Sequence, residues 1–450
     1  MAQSTGKATA GSASINLLNT IIGAGMLAMP YGIKSNGVLL GIFVVILSGA
    51  SSSFGLYLQT KCTRYVPVGH ASFFALSQLT YPSLSVIFDL AIAVKCLGVG
   101  ISYLVVVGDL MPKIAKSLID DTYLEGHGIL LERNFWISLF MVIVVPLSFL
   151  KRLDSLRYAS MVALSSVAYL AVLVVVHFFK KDIVEKGPVN YFVPHSVSSA
   201  LGSFPIFVFA YTCHQNMFSL VNELEDKSSR NMNRVISYAI GIAMTLYVIV
   251  GVSGYLTFGD LVGGNIIVSY PESFSSTFGR VAIACLVVLS YPLQCHPCRA
   301  SVNNILHYFD ISLGGEDETS KVAAAEEQRL VGSGDDQSST ANEQVIVALT
   351  KRNHLIITSF VLLISYLVAI SVRSLEHVLA FVGSTGSTSI SFILPGIFGY
   401  KMIGADKIAN NEPLTKKEKL QKYGGFALAI WGFIVMIVCL SATIFLGAKG

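Results

Sequence analysis

Charge is what this chain has least of. Asp, Glu, Lys and Arg make up 13% of its 450 residues, about half the share of an average soluble domain. The mean hydropathy is +0.65 and 53% of the residues are hydrophobic. A water-soluble fold is thereby excluded. Net charge is only +4, and no basic stretch is interleaved with aromatics, so no nucleic-acid partner is expected. Cysteine is also sparse. Cys62, Cys96, Cys213, Cys285, Cys295, Cys298 and Cys439 lie in or beside apolar runs, none in a loop on the oxidising side, which argues against a disulfide framework. The first fourteen residues have no basic stretch leading into a short apolar core and cleavage site, so no removable signal peptide is expected. Nor is there a nucleophile–base pair or a metal constellation: the polar residues inside apolar runs are spread over separate segments, which argues against an enzyme and against a bound cofactor.

What is present is a series of apolar runs, each long enough to cross the ~30 Å core of a bilayer. They fall at about 12–34, 38–60, 84–111, 134–150, 157–179, 199–223, 233–257, 279–304, 354–372, 376–400 and 424–446. The expected fold is an all-α membrane protein of eleven transmembrane helices, a single domain over 1–450. Lys and Arg number 31; twenty fall in loops on the side of the N-terminus, ten on the other, and Lys95 lies inside a helix. The positive-inside rule then puts the N-terminus in the cytosol and the C-terminus in the lumen or outside the cell. Residues 310–345 carry nine acidic and two basic residues and almost nothing that packs. They read as a disordered cytosolic loop, either a plain linker or a regulatory segment whose Ser and Thr accept phosphate and whose partner is a regulator.

Two runs are flawed as membrane helices. Run one carries Gly23, Ala24 and Gly25 at its centre. Gly23 to Ala28 also fits the dinucleotide fingerprint G-x-G-x-x-A, but no strand precedes it and no βαβ pattern surrounds it. In a bilayer each unsatisfied backbone group costs several kcal/mol, so the N–H and C=O groups freed around Asn19, Thr20, Ile22, Gly23, Ala24 and Gly25 must face protein, water or a solute. Run six is interrupted by Pro205 and by the polar stretch Tyr211, Thr212, Cys213, His214, Gln215, Asn216. Five helices separate the starts of the two flawed runs, so the halves, about 12–179 and 199–401, have opposite orientation. Paired breaks in inverted halves point to a solute site at their interface. The run at 424–446 is an extra helix outside this 5+5 repeat.

Further polar residues within the spans divide between site and scaffold. His214, in the second break, is suited to line a solute cavity or to hold a freed carbonyl. Lys95, midway along run three, is too deep to snorkel and must face the bundle interior, as a coupling group or a structural ammonium. Glu223 at the end of run six is a gate or an ordinary solvated end. Cys295, His296 and Cys298 suggest zinc, but no second Cys/His pair lies at ligand spacing, and Arg299 marks the cluster as an interfacial helix end. The hydroxyl-rich stretch Gly383 to Ser391 allows close helix packing, with Thr385 and Thr388 as cavity-lining residues.

The stretches NLLNTIIGAGMLAMPYG (16–32), KCLGVGISYLVVVGDLMP (95–112), FVFAYTCHQNMFSLVNEL (207–224), YPLQCHPCRASVNNIL (291–306) and FVGSTGSTSISFILPGIFGYK (381–401) together resemble the amino acid/auxin permease family. The similarity is to its fungal vacuolar branch and, more distantly, to the animal sodium-coupled neutral amino-acid transporters. The resemblance implies an inverted five-helix repeat of the kind found in bacterial leucine transporters, and amino acids as substrates. It places backbone around Ile22 to Gly25 on the α-carboxylate and carbonyls of the run-six break on the α-ammonium. Its sodium-using members hold the cation with a run-one Asn and a run-eight hydroxyl, here Asn19 and Ser290. Lys95 stands where its own charge can replace a cation. The expected activity is proton-coupled export of amino acids from a vacuole or lysosome to the cytosol. The alternatives are a sodium-coupled importer of the plasma membrane and an amino-acid-sensing receptor that keeps the transporter fold.

Overall fold

The structure is a computed structural model that describes residues 8–120, 126–150, 157–309 and 349–447. The acidic segment 310–345 lies outside the described residues. Among the described residues nine helices are long and apolar enough to cross a membrane: Val38–Tyr65, Pro82–Leu118, Met161–Lys180, Val197–Glu223, Ser229–Leu261, Phe274–Tyr308, Lys351–Ser371, Leu375–Ala409 and Lys416–Phe445. They fall on nine of the eleven expected runs. Of the other two, 134–150 forms the shorter helix Arg133–Ser148, and 12–34 is split into three pieces.

Those pieces are α1 (Ala10–Ile21), α2 (Ala24–Leu27) and α3 (Met29–Asn36). Gly23 interrupts the first junction; Pro30, which has no N–H to offer, sits in the first turn after the second. The chain continues through α4 (Val38–Cys62), α5 (Phe73–Thr80), α6 (Ser85–Leu118), α7 (Arg133–Ser148) and α8 (Arg157–Lys180). The second half holds α9 (Val197–Ala210), α10 (His214–Glu223), α11 (Ser229–Phe258), α12 (Phe274–Tyr308), α13 (Lys351–Ser371), α14 (Leu375–Val382), α15 (Leu394–Met402) and α16 (Lys416–Gly447).

Helix starts are written in the sequence. Thr9, Ser72, Ser196, Ser228, Ser273, Thr350 and Ser374 each accept, through the side-chain oxygen, the backbone N–H three residues on. A hydroxyl there satisfies a donor that has no helical carbonyl to reach. At the centre of the bundle α6 packs along α12, while α1 and α3 pack on α11, and α9 lies against α3 and α14. The last helix, α16, covers α15 and the stretch before it. The hydroxyl-rich run between α14 and α15 is wound as π-helix over Gly383–Ser387 and Ser389–Ile393. Widened turns of this kind loosen the backbone ladder, and they cluster at functional sites.

Candidate functional site: two broken helices

The break in the first span leaves the N–H groups at the start of α2 and the last carbonyls of α1 without helical partners. Ile22 is extended (φ −83°, ψ 109°), and the helical ladder resumes with Met26 N donating to Gly23 O at 3.1 Å. The second break has the same form: α9 ends at Ala210, Tyr211 to Cys213 are non-helical, and α10 begins at His214. The breaks lie against each other. A Cβ placed on Gly25 would come within 2.9 Å of both Cα and Cβ of Ala210, so only glycine permits this approach.

The freed carbonyls meet at one side chain that the sequence reading did not single out. Tyr247 of α11, fully buried, places its hydroxyl 2.9 Å from Ile21 O and 2.8 Å from Ala210 O, the last residues of α1 and α9. Two further carbonyls at the second break are bonded by α4. Ser52 Oγ donates to Tyr211 O at 3.1 Å, and Gln59 Nε2 donates to His214 O at 2.9 Å. Ser48, Ser52, Gly55 and Gln59 recur at helical spacing along one face of α4; that small-and-polar stripe inside an apolar run was the available signal.

The expected site residues are only partly brought together. Asn216 Nδ2 donates to Thr20 Oγ1 at 3.3 Å, joining the two broken spans directly. Asn19 Oδ1 is buried without a hydrogen-bond partner, and no hydrogen bond connects Asn19 with Ser290 among the described residues. His214 is fully buried, and its Nε2 donates to Ser52 O at 3.2 Å, while Nδ1 has no partner. Its ring is thus a peg on the α4 backbone. Thr212 Oγ1 donates to Val208 O at 2.7 Å and accepts from Ser391 Oγ at 3.3 Å. Tyr211 is buried with its hydroxyl unpartnered.

Lys95 is buried, with Nζ 3.4 Å from Gln294 Oε1, and no carboxylate pairs with it among the described residues. Gly386 permits the π-helical stretch to pack on the Lys95 backbone: a Cβ there would lie 2.7 Å from Lys95 N. Asp89, six residues earlier on α6, is a second buried charge and accepts from Asn304 Nδ2 at 3.2 Å; an acid inside run three was the overlooked signal. The hydroxyls of Thr385 and Thr388 turn to their own helix, donating to Phe381 O and Gly383 O, each at 2.7 Å. Of the other buried hydroxyls here, Ser391 donates to Thr212 and Ser387 has no hydrogen-bond partner. Glu223 is exposed, its carbonyl accepting from Ala8 N at 3.0 Å.

The cluster 294–299 is not a helix end: α12 runs on to Tyr308. Arg299 is buried and donates through Nη1 to Ser148 O (3.1 Å) and Thr358 Oγ1 (3.0 Å), tying α12 to α7 and α13. Cys295 and Cys298 are buried and unpaired, and the described residues hold no group of three metal-ligating side chains. Around the first break the packing is tight. The void beside Gly23 and Ala24, closed by Val167 and Leu170 of α8 and by Ile283, Leu286 and Val287 of α12, is about 10 Å³, roughly the space of one water. Admitting a larger solute requires the helices to move.

This architecture has counterparts. The fold is that of MhsT, crystallised in complex with L-phenylalanine, with a TM-score of 0.60 over 95% of this chain and 98% of that one, at 12% identity. The chain is 48% identical to "Vacuolar amino acid transporter 6" of Saccharomyces cerevisiae over 96% of its own length and 98% of the relative's. It is 42% identical to "Vacuolar amino acid transporter 5" of Schizosaccharomyces pombe, over 98% and 95%. The family described as "Transmembrane amino acid transporter protein" matches residues 6–438; the chain belongs to that family, as a transporter and not an enzyme.

Proposed function

We propose that this protein is a secondary active transporter that exports amino acids from the vacuole or lysosome to the cytosol, driven by the proton gradient and working by alternating access. The single observation that carries the reading is the pair of apposed helix breaks, whose freed backbone groups converge at Tyr247. Backbone N–H groups after Gly23 suit an α-carboxylate, and carbonyls of Tyr211 and its neighbours suit an α-ammonium. In this reading the broken first span and Arg133–Ser148 both cross the membrane, giving eleven crossings: two inverted sets of five, with α16 outside the repeat. The cytosolic N-terminus rests on the Lys and Arg bias, and the vacuolar location rests on the relatives' names. Lys95 supplies a fixed internal cation, and a proton is the coupling ion.

One observation favours the sodium-coupled alternative: the unpartnered Oδ1 of Asn19 beside the first break is a ready cation ligand. Reconstitution in liposomes decides between them. Amino-acid uptake that follows an imposed pH gradient and ignores sodium is the expected result; uptake that follows sodium at constant pH overturns proton coupling, and no uptake under either gradient overturns transport itself.

A further inference from the structure

At the end of the bundle that carries the basic loops, a cavity of about 260 Å³ opens between the end of α4, the loop that follows it, the end of α10 and the start of α11. Several times the space one water needs is available there. Its walls are built. Asn222 holds the loop at both backbone groups of Ala71, accepting from Ala71 N at 3.1 Å and donating to Ala71 O at 2.9 Å. Lys61 Nζ donates to Ser229 Oγ at 2.8 Å across the mouth, from α4 to α11.

The lining is one-signed. It includes Lys61, Arg64 and Lys227, with the hydroxyls of Thr63 and Ser229, and no acidic residue among the described lining. Arg64 has a partner in Asp406 at 3.4 Å. Lys227 has none: it lines the cavity while its Nζ is turned in, shut off from water with no hydrogen-bond partner, so it meets a ligand by swinging its flexible stem into the open space. The neighbouring acid is engaged elsewhere, since Asp226 accepts from Ser228 N (2.9 Å) and Ser228 Oγ (3.0 Å) at the start of α11. An ammonium removed from water with no counter-charge is costly to hold. An anion with several acceptor oxygens relieves that cost and also suits Lys61 and the Ser229 hydroxyl.

We infer that this cavity binds a phosphomonoester, with Lys227 and Lys61 as its charged ligands and Ser229 as a hydroxyl donor. On the orientation proposed above the ligand comes from the cytosolic side, as a phosphorylated lipid headgroup in the adjoining leaflet or as a soluble phosphate compound. Neither solute transport nor the helix breaks enter the argument, so the test is separable from the proposed function.

Purified full-length protein in nanodiscs is titrated with three probes: inorganic phosphate, a soluble inositol polyphosphate, and phosphatidylinositol bisphosphate at a few mole per cent in phosphatidylcholine. Glutamate serves as a carboxylate control. Binding of at least one phosphate probe is expected, weakened about tenfold in Lys227→Met and in Lys61→Met, as removing one charge-assisted hydrogen bond of about 1.5 kcal/mol implies. Lys227→Arg should keep most of the affinity, and Ser229→Ala, which leaves the charge intact, should weaken it several-fold. Binding of lipid alone identifies the headgroup as the source; binding of the soluble probes identifies a free ligand. No binding of any phosphate probe overturns the inference. So does binding unchanged in both Met variants, or glutamate competing as well as phosphate.

Discussion

Tyr247 is the residue on which the two halves of the site converge, because one hydroxyl serves the terminal carbonyls of both α1 and α9. Replacing it by Phe keeps the ring and leaves two buried acceptors without that donor. We predict that Tyr247→Phe loses roughly 1–3 kcal/mol of stability, read as a lower thermal midpoint in detergent, and that added amino acid restores more of the loss than it adds to the wild type. An unchanged midpoint would show that the hydroxyl bonds are not made. Lys95 poses a different question, since a buried ammonium with Gln294 as its hydrogen-bond partner has no opposing charge. Lys95→Met removes the charge at similar volume, and Lys95→Arg keeps it with a wider, planar head beside Gln294. The expected outcome is a flattened pH dependence of transport for Met; a profile that superimposes on the wild type, at equal protein in the membrane, would make Lys95 structural. At this scale the sequence disclosed which polar residues are buried but not which way they turn. His214 sits in the second break as expected, yet its ring bonds a carbonyl of α4, a partner 162 residues away that no local pattern announces.

Among elements, the broken helices were the legible part and the π-helical stretch was not. Gly23 and Gly25 marked the first break in advance, but only the packed structure separates their roles. Gly25 faces the Ala210 backbone, whereas a Cβ on Gly23 would meet nothing nearer than the Tyr103 hydroxyl at 3.5 Å. Gly25→Ala should therefore force α2 away from α9 and lower folded yield in the membrane, while Gly23→Ala should insert and fold normally and lose transport by narrowing the site. Equal yields for the two variants would overturn the distinction. Between α14 and α15, Thr388 Oγ1 reaches back five residues to Gly383 O at 2.7 Å, a span that fits a π turn. Thr388→Val should cost about 1 kcal/mol in thermal unfolding, and Thr385→Val, at a partly exposed position, much less. Hydropathy could not reveal this widening, because π and α turns share the same apolar composition.

At the scale of the molecule, nine apolar runs appear as membrane-length helices among the described residues, since length and hydropathy are properties of the local sequence. How the halves meet is not local, and one tie between their ends lies in the segment before α1. Ala8 N donates to Glu223 O at 3.0 Å and Glu225 N donates to Ala8 O at 3.1 Å, strapping the segment before α1 to the end of α10. The void at the first break holds about one water, so solute can pass toward this end only if elements around it part. α1 and α10 are the half-helices that lead from the breaks to that end, and the strap is a weak restraint that can open and reclose. A cross-link there should stop it from opening. We predict that Ala8→Cys with Glu225→Cys, joined by a short thiol linker with the exposed Cys285 replaced by Ala, abolishes transport but leaves amino-acid binding, measured as ligand-induced thermal stabilisation. Reductive release of the linker should restore transport. Uptake at the unlinked rate by the cross-linked protein would mean that α1 and α10 move as one body, and that the opening toward this end lies between α10 and α4 instead.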